Sequence, residues 1–356
     1  MQKLVTVLIF VMIVALVALV TIPQWAVKKP EKVLIGHLPD VPNCWLYSAL
    51  DQGVFQKYKL EPELVDFFSY QEALDSLLGG KLDCFFSFPW SFLLQKMADT
   101  LREMSDTMAV AESAAEVADT LTEMAPTPVH AEKVTEHRVI VSFYSTPDSP
   151  YGALIVPDNS KLKEVKNLSK KKVGVSIYPH IELEVFLRKA LESEIAKKNI
   201  RVELAERDVI GSLLDDEKLD AALLYEPDLV RLLEHGKARI LVDDPVSVHI
   251  INPYPVYAAC ASDSFLIGKP QTALNFRIAL EEAFEVALLD GAALRSSLTN
   301  YMRITMPQSA KVRLPHFEKF DGIDRDAIQN FANLLTQENI LPDTVHVERL
   351  LLKMSE

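Results

Sequence analysis

Basic residues are in short supply. Lys and Arg number 37 against 50 Asp and Glu, a formal net charge of −13. Nucleic-acid surfaces are basic, so nucleic acid is not an expected partner. Cysteine is nearly absent: Cys44, Cys84 and Cys260 stand in no CxxC spacing, which excludes a zinc module or a disulfide scaffold. Free cysteine commonly packs as a small hydrophobe, and that is the reading for all three; a single Cys44–Cys84 bridge stays open. Catalytic signatures are missing as well. The chain contains no GxSxG, Walker A, HExxH or GxGxxG, and nothing in it implies a metal or a cofactor.

The remainder has an ordinary globular balance, 49% hydrophobic and 24% charged over 356 residues, enough for two lobes of about 100–200 residues each. Leu4 to Ile22 is apolar apart from Thr6 and Thr21. A helix of that length reaches about 28 Å, close to a bilayer core. No small-x-small cleavage site follows it. Residues 1–30 therefore read as an uncleaved membrane anchor ahead of a cleaved signal. Lys3 precedes the span and Lys28, Lys29 and Lys32 follow it, so charge counting would place the body inside.

Beyond the span, strands and helices alternate. "KVLIGHLPD", "LEPELVDF" and "LDCFFSF" read as strands, with helices at "NCWLYSALDQGVF" and "SYQEALDSLLGG". Ser starts the second helix and Gly-Gly stops it. The alternation resumes over residues 171–242, and βαβ units of this kind imply mostly parallel sheets. The stretches 139–156 and 250–261 lie at the ends of the second run and read as crossovers between two lobes. After Ala261 the chain reads as mostly helical, with a tail helix near 345–353.

Between these runs the pattern changes. Gln95 to Met124 contains neither Gly nor Pro, and Met97, Leu101, Met104, Met108, Ala111, Ala115 and Ala118 recur at steps of four and three. This is a long helix or helix pair with a narrow apolar seam. The seam either packs on the protein's own body or serves self-association or partner docking through residues 95–124. Asp99 to Glu136 holds nine acids against Arg102 and Lys133, more than half of the chain's net charge.

One unit occurs twice. "SLLGGKLDCFFSFP" (76–89) returns as "SLLDDEKLDAALLYEP" (212–227): a helix end, a polar break, Leu-Asp, an apolar run and a loop closed by proline. In open α/β sheets, ligands sit beyond the carboxyl ends of strands, where helix N-termini offer free N–H groups. Four loops qualify: 39–45, 89–91, 176–180 and 226–227. Trp45, Phe88, Trp90 and Tyr178 supply flat apolar walls. Pro39, Asp40, Asn43, Pro89, Ser91, Ser176, His180 and Glu226 supply the loop backbone and a few polar points, the mix of a small-molecule site. Each has a plainer reading: Asp40 as a turn residue, Trp90 as core, His180 as a helix cap, Glu226 as a first-turn acid interacting with the helix dipole.

Residues 32–92 and 139–352 resemble the nitrate/sulfonate/taurine-type periplasmic solute-binding proteins of ABC transporters. The resemblance is carried by Ala49–Asp51, Gly53, Phe55, Ala73, Leu74, Leu77, Gly80 and Asp83 in the first run. In the second it is carried by "NLSKKKVGVSIYPHIELEVFLRKAL" and by Asp220, Ala221, Glu226, Pro227 and Gly236. It implies an α/β, two-lobed type II periplasmic-binding fold. That fold has two mixed or parallel sheets flanked by helices and joined by two crossovers. The expected division is 1–30 anchor, 31–146 first part of lobe one with a helical insertion at 95–137, 147–250 lobe two, and 251–356 the rest of lobe one. The insertion and the membrane span depart from the family pattern. The implied function is extracytoplasmic capture of a small organic or anionic ligand for an ABC permease. Two alternatives stand beside it on the same fold: a membrane-anchored sensor or adaptor, and an enzyme of the pyrimidine-synthesis or menaquinone-route type.

Overall fold

The computed structural model describes residues 12, 29–103, 137–176, 180–190, 201–207 and 209–352. The proposed span at 4–22 and residues 104–136 of the insertion therefore lie outside the described residues, apart from residue 12. Among the described residues, no helix is long and apolar enough to cross a membrane.

Six strands form one sheet in the order β11-β4-β10-β3-β1-β2. β1 (Glu31–His37) runs parallel to β2 (Leu60–Asp66) and β3 (Cys84–Pro89). β10 (Tyr254–Ser262) is antiparallel to β3 and to β4 (His137–Ser145), and β11 (His316–Lys319) is antiparallel to β4. Five strands form the second sheet, β7-β6-β8-β5-β9. There β6 (Lys172–Val175) is parallel to β7 (Arg201–Leu204) and β8 (Ala221–Tyr225), whereas β5 (Gly152–Pro157) is antiparallel to β8 and β9 (Ala238–Asp243). β3 and β8 are buried along their whole length, which is why both read as unbroken apolar runs.

The repeated unit has the same anatomy in each sheet. Before β3, Ser76 O accepts from Lys81 N and Leu82 N; before β8, Leu213 O accepts from Lys218 N and Leu219 N. Asp83 Oδ2 accepts from Leu34 N of β1 at 2.9 Å, and Asp220 Oδ2 accepts from Lys172 N of β6 at 2.9 Å. Lys269 completes Asp83 at 2.9 Å and Lys171 completes Asp220 at 2.8 Å. The Leu-Asp of each copy thus pins one strand to its parallel neighbour.

The chain leaves the first sheet between β4 and β5 and returns between β9 and β10. Asp244 ties these crossovers together. Its carboxylate accepts from Ser145 Oγ and Ser247 Oγ, and its N–H donates to Gly152 O at 3.0 Å. Burial pushes the Asp244 carboxyl up. Ser145 Oγ in turn accepts from Tyr151 N at 2.9 Å.

The C-terminal third is mostly helical, as expected, with two differences. β11 interrupts the helical run; its sequence, HFEK, is half-exposed and has no apolar stretch to announce it. The tail is a short 3-10 turn at Val347–Arg349 in place of a helix. The three cysteines are free and buried, so no Cys44–Cys84 bridge forms.

Candidate functional site

The site lies where the carboxyl ends of the parallel strands in the two sheets face each other. On the first-sheet side, β1 ends and the chain turns through Pro39 and Asp40 into a 3-10 turn, Val41–Asn43, and the Cys44–Asp51 helix. Asp40 stands in the N-cap position but makes no cap hydrogen bond. Its carboxylate, 0% exposed, instead accepts from Tyr70 Oη at 3.2 Å and lies 3.5 Å from Ser87 Oγ. Ser87 has a φ of +71° at a register shift between β3 and β10. A non-glycine residue in that region is strained, and here its hydroxyl donates to Phe86 O at 2.6 Å while lying beside Asn43 and Asp40. Asn43 Nδ2 donates to Ser87 Oγ at 3.2 Å. Its buried Oδ1 meets no donor among the described residues.

On the second-sheet side the main polar group is Arg207, three residues past β7. Its guanidinium pairs with Asp40 across the interface and with Asp228 of its own lobe, and it donates to Glu226 O at 3.3 Å. Arg231 holds the other oxygen of Asp228 at 2.7 Å. Burial works against the Arg207 charge, but the Asp40 and Asp228 carboxylates outweigh it and hold the guanidinium more firmly protonated than usual.

Glu226 follows β8. Its carboxylate, on a residue 2% exposed, accepts from Val230 N at 3.2 Å and Arg313 N at 3.4 Å. Burial pushes its pKa up to about 7, while those two backbone N–H groups act in the opposite direction. The first contact caps the Asp228–Glu234 helix. The second reaches the segment leading into β11, so Glu226 joins elements of both sheets. Arg231 Nη2 to Met302 O (2.7 Å) and Lys311 to Glu234 (2.8 Å) tie the same helix to the ends of the two helices that precede β11.

Tyrosines fill the space around these charges. Tyr151 donates to Glu226 O at 3.2 Å, and its ring contacts Tyr225 at 5.6 Å and Tyr257 at 6.0 Å. Tyr225 packs against Gly152 so closely that a Cβ there would lie 2.8 Å from the ring. Tyr254 Oη donates to Glu182 at 3.0 Å. Burial pushes the Tyr70, Tyr151, Tyr225, Tyr254 and Tyr257 hydroxyls far up, so they stay neutral; Tyr225 Oη meets no partner among the described residues.

The sequence-derived candidates divide accordingly. Asp40, Asn43 and Glu226 meet in or beside this group. Phe88 reaches it through Tyr70, whose ring lies 6.4 Å away, and Pro89 is in register with Tyr257. Pro39 is exposed and Ser91 is buried in the first turn of the helix that begins at residue 90. Trp90 is buried and donates to Ser142 Oγ of β4 at 2.9 Å. Trp45 packs on Phe317 and Phe284 at 4.5 and 5.7 Å. Both tryptophans thus occupy the packing of the first lobe. Ser176 directly follows β6; Tyr178 and the His180 side chain lie outside the described residues.

Arg207, Tyr70, Tyr151, Tyr225, Tyr257 and Asp228 were not among the sequence-derived candidates. The strand-end rule that selected four loops applies equally to the loop after β7 and would have found Arg207.

Similar architectures are known. The periplasmic aliphatic sulphonate binding protein SsuA from Escherichia coli aligns at 15% identity and a TM-score of 0.65, over 91% of this chain and 98% of its own. The periplasmic nitrate-binding protein NrtA from Synechocystis aligns at 12% identity and 0.60, over 89% and 84%. The desulfurization enzyme DSZB aligns at 13% identity and 0.58, over 90% and 96%. No protein-family model and no curated protein matches the sequence. At these identities the likeness speaks for the fold: the chain has the two-lobed type II periplasmic-binding architecture, with one mixed sheet in each lobe.

Proposed function

We propose that this protein is an extracytoplasmic solute-binding protein that captures a small organic or anionic ligand between its two lobes, for delivery to an ABC-type importer. The observation that carries this reading is the Arg207–Asp40 pair. It places opposite charges from the two lobes in contact, at the strand ends where α/β folds bind ligands, beside crossovers fastened by one buried aspartate. A ligand entering there would touch both lobes at once and favour the closed form, as hinge closure requires. The SsuA and NrtA likeness supports the same reading. The ligand contacts proposed are Asp40, Asn43, Phe88, Arg207, Glu226 and the surrounding tyrosines, with Ser176, Tyr178 and His180 from the β6 loop.

Residues 4–22 would hold the body at the outer face of the membrane, and residues 95–137 would dock a partner or a second copy. Protease protection on intact cells tests the placement. Cleavage of the body from outside is expected, and full protection would end the import reading.

A second reading, an enzyme on this fold, is kept by the likeness to DSZB. Mass spectrometry of a ligand before and after incubation separates the two. An unchanged molecule is expected for a binding protein and a converted one for an enzyme.

A further inference from the structure

We propose that two copies of this chain pair through opposite charges: a lysine-rich face at the far end of the second lobe of one copy receives the acidic run Asp99–Glu136 of the other. The inference goes beyond ligand capture and does not depend on it.

Lysine is concentrated in one place. Residues 161–172 hold Lys161, Lys163, Lys166, Lys170, Lys171 and Lys172 against Glu164 alone, in a chain of net charge −13. Lys166 pairs with Glu164, Lys171 with Asp220 at 2.8 Å and Lys172 with Glu203 at 3.0 Å. Lys161, Lys163 and Lys170 are exposed, and among the described residues no carboxylate pairs with them. A surface groove runs between Lys161, Lys163, Lys166 and Lys171. Lys171 and Lys172 lead into the amino end of β6. The cleft lies at the carboxyl ends, so this face is at the opposite pole of its lobe and takes no part in the ligand site.

The matching charge is in the same chain. Residues 103–132 contain seven acids and neither Lys nor Arg. Glu112, Glu116, Asp119 and Glu123 recur at steps of four and three, which on a helix sets them in one stripe. The run rejoins the described chain at His137, paired with Ser262 of β10. Ala261 beside it is level with Cys84, the first residue of β3. The run therefore returns to the first lobe at the pole away from the cleft.

Reach decides between the run's own copy and a second one. Read as helix to residue 124, the run extends about 31 Å past Glu103. β3 and β8 laid end to end already take about 36 Å, before the cleft between them is counted. The lysines of its own copy are out of range, whereas those of a neighbour are not. Two copies side by side in opposite directions make the contact twice, a closed two-fold pair. With the two-fold axis along the membrane normal, the apolar segments before residue 30 of both copies enter the same bilayer. Attraction between faces of opposite sign steers such an encounter and fixes its register.

Light scattering of the full-length protein in nonionic detergent tests this. A dimer is expected at about 50 mM salt, its dissociation constant rising roughly tenfold or more by about 500 mM as the charges are screened. The triple variant Lys161→Glu, Lys163→Glu, Lys170→Glu should be monomeric. So should Glu112→Lys, Glu116→Lys, Asp119→Lys, Glu123→Lys, and mixing the two variants should restore a pair, each being checked for a native melting transition. Cross-linking decides if a variant does not fold. The three native cysteines are buried, so a bismaleimide joins introduced thiols: Lys163→Cys protein mixed with Glu116→Cys protein should yield a linked pair. A monomer at every salt concentration would overturn the inference, as would a dimer indifferent to the lysine changes. So would a link formed only within single chains of the doubly substituted protein, which would seat the run on its own copy.

Discussion

Arg207, on the loop after β7, is ion-paired with Asp40, on the loop after β1, and this pair joins the two lobes through their charged groups. Asp40 is fully buried, whereas the Arg207 side chain keeps 37% of its surface exposed. Solvent screening of the arginine reduces the worth of the pair below that of a fully buried one. Arg207→Gln should therefore cost about 2 kcal/mol in a urea melt, less than a fully buried pair loses with one partner. It should also enlarge the ligand-free particle in small-angle scattering as the lobes part.

Glu226 makes stability depend on pH in an unusual direction. Its folded-state pKa is pushed up to about 7, above the ordinary glutamate range. The folded form holds the proton more tightly than the unfolded chain, so the stabilisation is full below the unfolded pKa. It is lost as pH rises through about 7. The loss, running from the unfolded-state value of about 4.3 up to about 7, should total about 3 kcal/mol. Chemical melts across that window measure it, and Glu226→Gln should flatten the profile.

The paired aspartates of the repeated unit should differ in weight. Asp83 is 9% exposed and Asp220 32% exposed, each bound to one strand N–H and one lysine. Asp83→Ala should cost about 2 kcal/mol and Asp220→Ala about 1, since the Asp83 carboxylate is the better shielded from solvent of the two. Lys171 and the Lys172 N–H outweigh burial and hold the Asp220 carboxyl below the usual range. Its contribution should therefore be present at neutral pH and fade as pH falls through the folded-state value.

Much of the architecture was legible in the sequence. β3, β5 and β8 are buried strands and, with the second half of β1, read as apolar runs between Ser, Gly and Pro signals. The Leu-Asp echo marked one unit in each lobe, and that unit proves to be a pinned strand pair. Other features left no such trace. β11 is short and half-exposed, with Phe317 its one apolar residue, so tertiary pairing with β4 alone makes it a strand. Arg207 sits in "AERD", a charged run that reads as a solvated turn until Asp40 is brought to it from 167 residues away. Tyr225 and Tyr257 lie inside strands and are absorbed into the apolar pattern; only register places them at the cleft. Trp45 and Trp90 looked like walls because they neighbour strand-end loops, yet their rings turn into the packing of the first lobe.

The hinge should respond to Asp244. Replacing it with Ala removes the acceptor of Ser145 and Ser247 and leaves two buried hydroxyls without it, a loss of about 1–3 kcal/mol. Amide exchange at the crossovers, residues 145–152 and 243–254, should accelerate more than exchange in β3 or β8. Uniform acceleration would mean global destabilisation with no special role at the hinge.

On the proposed function, a small molecule is held between the lobes by groups from both. A thermal-shift screen of amino acids, sulfonates, carboxylates and inorganic anions on the full-length protein, repeated on Arg207→Gln, tests it most directly, because a ligand that binds only the folded state raises the melting temperature. At least one compound should stabilise the native protein and lose that effect in the variant, with the variant still melting cooperatively. No stabilising compound, or one acting equally on both proteins, would contradict it.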